Sequence, residues 1–286
     1  MANEIVTPEM LKERQRRDWD AAAEGWNKWW PTFERSAQHV SDRLVELAHV
    51  HEGSRVLDIA TGNGEPALTA ARRAGSRGRV IATDQSQGML GIARSRAASL
   101  GITNVEFRFS DGERLTVAER DFDAIVCRWG LMFMPDVAAA IRGLRERLVA
   151  GGWFATAVWS TAEKVPIIAI GASVVRKLAN LPPPPPDALD PTRLADPARL
   201  TGWLREAGFV EITVERLPVT FEFESPAAFT QFRYEVSAPF RYLVNNQTPE
   251  LRQQILDGVT KAASAFAGAD GKLRTVNETI LFAAHR

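Results

Sequence analysis

The segment VLDIATGNGEPAL joins an apolar run ending at Asp58 and Ile59 to a turn that carries Gly62 and Gly64. Small residues in such a turn let the backbone come within contact distance of a ligand, because a side chain would fill the space. Twenty residues beyond Gly64, the run RVIATD ends in Asp84. A carboxylate there can accept hydrogen bonds from both hydroxyls of a ribose. Asp111, in SDGERL, follows 27 residues later and can accept from the exocyclic amine of an adenine. Asp58 stands four residues before Gly62, at the mouth of the turn. Its sign opposes a pyrophosphate and suits an ammonium group, held directly or through water, and it can equally tie the turn together. Each feature alone is weak; together they describe a nucleoside lying over the tips of three neighbouring strands.

Two cofactor classes compete for that geometry. GNGEPA fits the loose dinucleotide pattern GxGxxA, which keeps an NAD-dependent oxidoreductase in view. Three observations weigh against it. The charge of Asp58 favours S-adenosylmethionine over a dinucleotide. The tyrosine and lysine spaced by four in short-chain dehydrogenases are missing, since Tyr234 is followed at that spacing by Ala238 and Tyr242 by Asn246. Dinucleotide enzymes have no need of the carboxylate of Asp111. A third class, a non-catalytic module that keeps an S-adenosylmethionine pocket, stays open.

These residues require a parallel sheet with helices on both faces. From Arg55 to Trp159 the runs RVLDIA, RVIATD, VEFRFS, FDAIVC and WFATAVW alternate with amphipathic stretches at about 66–74 and 87–100 and one opened by Asp136. Ile141, Leu144 and Leu148 give the last of these a buried stripe, and Gly151 and Gly152 end it. Right-handed crossovers place the loops after the strand C-termini along one rim, where open α/β sheets bind ligands. Upstream, Thr7 before Pro8 and Ser36 predict the starts of two helices, the second with Val40, Leu44, Leu47 and Ala48 on its sheet-facing side. Downstream come a helical run at about 164–179, five prolines from Pro182 to Pro186 that form a stiff exposed connection, and a helix at about 196–207. The alternating EITVERLPVTFEFE, two or three helices over 226–268 and a closing strand in VNETILFAAH complete the chain.

On these motifs the chain resembles class I S-adenosylmethionine-dependent methyltransferases, and among them the ubiquinone and menaquinone biosynthesis C-methyltransferase group. The resemblance rests on VLDIATGNGEPAL, ATDQSQGML, FSDGERL, FDAIVCRWGLMFMPD and AGGWFATAVW and covers about 19–159, rejoining near Thr275. It implies a Rossmann-like seven-stranded, mostly parallel sheet in a single domain. Residues 1–50 would form an N-terminal helical cover and 51–160 the cofactor-binding core; 161–274 would form an acceptor cap with a sheet edge, and 275–286 the closing strand. It also implies methyl transfer to a small molecule by in-line displacement, with S-adenosylhomocysteine as product. By the same resemblance Asp58, Ala60, Gly62 and Gly64 lie along the methionine portion and ribose, and Asp84 takes the ribose hydroxyls. Gln85 and Met89 border adenine, while Asp111, Gly112 and Glu113 close its pocket; Arg128 and Trp129 line the methionine end. Two departures stand out: Ala60 replaces a frequent glycine, and Thr61 replaces the family's usual cysteine.

Acceptor contacts are sought among Trp29 and Phe133, and in FTQFRYEVSAPFRYLVNN, which carries Arg233, Tyr234, Glu235, Arg241 and Tyr242. Trp26, Trp29 and Trp30 are either core or a cover over the cofactor, whose sulfonium suits aromatic faces. Met132, Phe133 and Met134 read first as packing, and the region around Arg233 serves equally as a packed cap or a homodimer surface. Lys+Arg and Asp+Glu both number 35, so no field of one sign points to nucleic acid. Cys127 is the single cysteine, which fits a reducing, cytoplasmic setting. No membrane span is expected from the short apolar runs. The histidines, at 39, 49, 51 and 285, have no metal-ligand spacing, so no metal is expected.

Overall fold

The apolar runs of the first half become parallel strands because they are hidden on both faces, as a sheet sandwiched between helices demands. In the computed structural model, which describes residues 8–182 and 188–286, β1 (Arg55–Ile59), β2 (Arg79–Asp84) and β4 (Phe122–Arg128) are buried almost throughout. β3 (Val105–Phe109) is half-exposed at one edge, and β5 (Leu148–Trp159) lies beyond β4. β7 (Leu273–His285) runs antiparallel to β5, with Trp159 opposite Thr279, and β6 (Val210–Phe223) runs antiparallel to β7. The strand order is β3-β2-β1-β4-β5-β7-β6, so among the described residues the sheet has seven strands and is Rossmann-like.

Strand order reverses between β1 and β4, and the crevice at their carboxyl ends is where such sheets take ligands. The connecting helices are α2 (Ala67–Ala74), α3 (Gln87–Ser99) and α4 (Val137–Arg145). Ser86 and Asp136 cap α3 and α4 by accepting from the N–H groups of Met89 and Ala139. Over the rim lie α5 (Pro166–Leu178), α7 (Pro226–Val236), α8 (Ala238–Asn245) and α9 (Pro249–Ala263), while α6 (Pro197–Glu206) leads into β6.

Three expectations need correction or a boundary. Instead of two N-terminal helices there is one, α1 (Pro8–Leu47), with Pro31 inside it and Ser36 buried in mid-helix. An interior proline costs a helix about 3 kcal/mol. The apolar stripe Ala23, Trp30, Phe33, Ala37, Val40 and Leu44 keeps its period across Pro31, and burying it outweighs that cost. Secondly, α4 stops at Arg145, so Leu148 opens β5 rather than extending the helical stripe, and Gly151 and Gly152 lie inside that strand. A Cβ at Gly152 would come within 3.1 Å of the Asp123 carbonyl, so the glycine serves close strand contact where β4 and β5 shift register. Thr7 and the prolines from 183 to 186 lie outside the described residues.

Candidate cofactor and acceptor site

The turn after β1 is held by the tip of β2. Ala60 and Gly62 take left-handed φ values of 56° and 57°. The Thr61 N–H donates to the Thr83 carbonyl at 2.9 Å, and the Gly62 N–H to Asp84 Oδ2 at 2.8 Å. Asp84 Oδ1 accepts from the Ser86 N–H at 2.8 Å, so one carboxylate ties the glycine turn to the start of α3. Burial pushes the Asp84 carboxyl up to about 6, against the pull of those backbone donors. Gly62 borders a cavity of about 400 Å³, and a Cβ built on it would meet nothing within 4 Å. The backbone therefore presents a bare edge to open space.

Around this cavity stand Ala60, Thr61 and Gly62 from the first turn, Asp84, Gln85 and Met89 from the second, and Asp111 and Gly112 from the third. Arg128 and Trp129 border it from the end of β4, and Phe133 and Arg233 from farther along the chain. Asp58, Gly64 and Glu113 do not reach it. Asp58 is fully buried behind the turn, where its Oδ2 accepts from the Ala67 N–H at 3.0 Å and so anchors the start of α2. Loss of water pushes its carboxyl up to about 8, opposed by the Thr61 hydroxyl and the Arg128 charge. Gly64 faces the Leu68 side chain. Glu113 turns away to accept from the Asp136 N–H at 2.7 Å and to pair with Lys12 at 2.7 Å.

Acceptor candidates also divide. Trp29 packs between Phe223 and Phe232 and donates its indole N–H to Glu235, which pins α1 to α7 and keeps the ring off the cavity wall. The Tyr234 hydroxyl donates to Asn245, and Tyr242 lies at the surface under the Arg14 guanidinium. Trp26 does border the cavity, with its indole N–H on the Val236 carbonyl, whereas Trp30 lies beneath Arg96, 3.3 Å from its ring centre.

The structure adds wall residues that the motifs did not single out. Glu65 is buried, with Oε2 bonded to Thr69 and Oε1 without a hydrogen bond, 3.9 Å from a guanidinium nitrogen of Arg72. Burial raises its pKa, with Arg128 opposing. The Asn63 side-chain N–H₂ is likewise buried and unpaired. Lys12, Gln15 and Trp19 come from one face of α1, and Lys12 holds Asp111 Oδ2 at 2.7 Å. The spacing of 12, 15, 19, 26 and 33 is a helical stripe that a continuous α1 would have revealed.

Arg128 links the two halves of the site. Its guanidinium donates to the Ser41 hydroxyl at 2.7 Å in α1 while facing Glu65 electrostatically, and its burial lowers its pKa. Trp129 stacks on Trp159 at 4.3 Å, meets Phe33 edge-on and donates its indole N–H to Thr279 at 2.9 Å. Gly130 follows, and a Cβ there would lie 2.6 Å from the Cβ of Ala60. Ala60 is thus accommodated because its neighbour across the crevice has no side chain.

Comparison with known proteins decides the family. A sequence model described as a methyltransferase domain matches residues 50–208, more than half of the chain. The chain belongs to the methyltransferase domain family. Among curated relatives, the ubiquinone/menaquinone biosynthesis C-methyltransferase UbiE of Pseudomonas putida is 33% identical over 134 residues, 46% of this chain and 48% of that protein. The UbiE of Cellvibrio japonicus is 37% identical over 109 residues, 38% of this chain and 44% of that protein. The chain therefore spans about half the length of the curated relatives it matches. YcgJ of Bacillus subtilis superposes with a TM-score of 0.57 at 18% identity, covering 87% of this chain and 98% of that one. Phosphoethanolamine N-methyltransferase 2 of Haemonchus contortus, solved with S-adenosyl-L-methionine, gives 0.59 at 16% identity over 100% of this chain and 61% of its own. Both share the fold with this methyltransferase-domain protein. Among its described residues no helix is long and apolar enough to cross a membrane, and no three His, Cys, Asp or Glu side chains are placed to hold a metal.

Proposed function

We propose that the protein is an S-adenosylmethionine-dependent methyltransferase acting on a small molecule. The observation that carries this is the charge pattern along the glycine turn. Gly62 offers an open backbone edge, Asp84 stands at the next strand tip, and on the same wall lie the unpaired Asn63 N–H₂ and Glu65 Oε1, which has no hydrogen bond and only a long 3.9 Å ion pair to Arg72. A ribose, an ammonium and a carboxylate satisfy those groups together; a pyrophosphate would face two carboxylates, which disfavours an NAD-dependent oxidoreductase. In this reading Asp84 accepts from the ribose hydroxyls, Glu65 takes the ammonium, and Asn63 and Arg128 take the carboxylate. Gln85, Met89, Gly112 and Asp111 border the adenine, with Lys12 sharing Asp111. Bound there, the cofactor supplies an electrophilic methyl on a sulfonium, already a good leaving group. The chain's own part is alignment and exclusion of water, for which Trp19, Trp26, Phe33, Trp129 and Trp159 provide an aromatic wall suited to a cation. The domain reading goes with it: one unit, in which residues 1–50 and 161–274 cover a core at 51–160. A reducing, cytoplasmic setting is supported by the lone buried Cys127.

Thermal shift with S-adenosylhomocysteine and with NADH tests the cofactor class. At a hundredfold excess over Kd the first should add about 2.7 kcal/mol of stability and the second none. A shift with NADH alone would reverse the assignment. A labelled-methyl screen over quinones, phenols, amines and thiols then separates an enzyme from a binding module, which would leave every acceptor unlabelled.

Asp84 makes the binding pH-dependent. Only the ionised carboxylate accepts fully from two hydroxyls, and burial has raised its pKa to about 6. Affinity for S-adenosylhomocysteine, measured by calorimetry, should therefore fall as pH drops through 6, by up to about tenfold per unit. Asp84→Asn should bind more weakly at pH 8 and lose this slope. A wild-type affinity that stays flat from pH 7.5 to 5 would remove Asp84 from the ribose.

A further inference from the structure

Arg233 is the unexplained charge of the cavity. It lies near the C-terminal end of α7, is 8% exposed and lines the same cavity as the glycine turn. Among the described residues no carboxylate, carbonyl or hydroxyl bonds its guanidinium, and its Nε is buried without a hydrogen-bond partner. Its surroundings are apolar: the Phe240 ring centre is 6.0 Å from Cζ, and a Cβ on Gly171 of α5 would lie 3.7 Å from Nε. The other cations of the cavity are engaged, Lys12 by Asp111 and Glu113, and Arg128 by Ser41 and the field of Glu65. Arg176 donates to the Pro182 carbonyl.

Burying a guanidinium without a partner is expensive, and a site that tolerates it ordinarily does so for a ligand that completes the pair. We propose that the methyl acceptor is a largely apolar, planar molecule bearing one delocalised oxyanion, a carboxylate or an ionised phenol or enol, which Arg233 receives. The proposal rests on the methyltransferase reading of the cavity. The aromatic lining, including Trp26, Phe133, Phe232 and Phe240, fits the apolar body of such a molecule. The planar fork of an arginine matches two carboxylate oxygens or one phenolate oxygen, which a lysine would hold less selectively.

Calorimetry on the full chain saturated with S-adenosylhomocysteine tests this with 2-naphthoate, its neutral methyl ester, and 2-naphthol above and below its own pKa. Naphthoate should bind at least about tenfold more tightly than the ester, and Arg233→Met should erase that difference while leaving S-adenosylhomocysteine affinity within about twofold. The naphthol arm separates the sources: tighter binding of naphtholate than of naphthoate assigns a phenolic or enolic acceptor, the reverse a carboxylic one. Removing the unpaired charge should also raise the melting temperature of Arg233→Met without ligand. Equal affinity for naphthoate and ester, including no binding of either, or an Arg233→Met protein that keeps the preference, overturns the proposal. A protein that binds no S-adenosylhomocysteine overturns the methyltransferase reading instead.

Discussion

Gly62→Val should abolish cofactor binding while leaving a folded protein. The position has a φ of 57°, so a branched side chain costs about 1–2 kcal/mol of strain there. A Cβ would meet no protein atom within 4 Å, so the first carbon of the new side chain adds no clash to the strain. The new side chain would occupy the space the ligand needs beside the Gly62 N–H, which Asp84 holds in place. Affinity for S-adenosylhomocysteine should fall at least about a hundredfold, equivalent to about 2.8 kcal/mol. Circular dichroism and the melting curve should show a native fold with only the loss expected from strain. Retention of affinity within threefold would mean that the ligand does not lie along this turn.

The opposite behaviour is expected at the end of the neighbouring strand, β4. Gly130→Ala should damage stability first and binding only as a consequence. Gly130 has an ordinary φ of −96°, so its backbone tolerates any residue. Its added Cβ, however, would fall 2.6 Å from Ala60 Cβ and 2.8 Å from Cys127 Sγ, far inside van der Waals contact. Overpacking of this kind costs about 1–3 kcal/mol. Adding Ala60→Gly removes one of the two clashes and the left-handed strain of an alanine at a φ of 56°. The double variant should therefore recover about 0.5–3 kcal/mol relative to the sum of the single effects, read by denaturant titration in a double-mutant cycle. Strict additivity would show that the two positions do not share space. A favourable coupling would explain how the chain tolerates alanine at a position where a backbone with positive φ favours glycine.

Much of this architecture could be read before any coordinates. The five apolar runs, their alternation with helices and a closing strand near the C-terminus follow from periodicities set by nearest neighbours along the chain, and the sheet bears them out; that the closing strand runs antiparallel is visible only in the structure. What failed was local punctuation judged without its packing. Pro31 and Ser36 carry the signals of a helix boundary, yet α1 runs through both because its apolar stripe is continuous and buried. Gly151 and Gly152 carry the signals of a helix end, yet both lie inside β5, where Gly152 serves a close contact with β4.

The same division runs through the site. Sequence by itself determined the glycine turn and the spacing to Asp84 and Asp111, and with them the expectation of a nucleoside over the rim, because these lie on short loops whose geometry the adjoining strands dictate. Only the tertiary structure decided which side chains face the cavity. Asp58 and Glu65 are both carboxylates beside one turn, and nothing in their spacing tells that the first ties down α2 behind the turn while the second lies on the cavity wall. Arg233 and Tyr234 are adjacent, but helix phase buries one against Phe240 and sends the other to Asn245. Burial, charge pairing and side-chain direction arise from elements far apart in the chain meeting in space, and a linear pattern holds no record of that meeting.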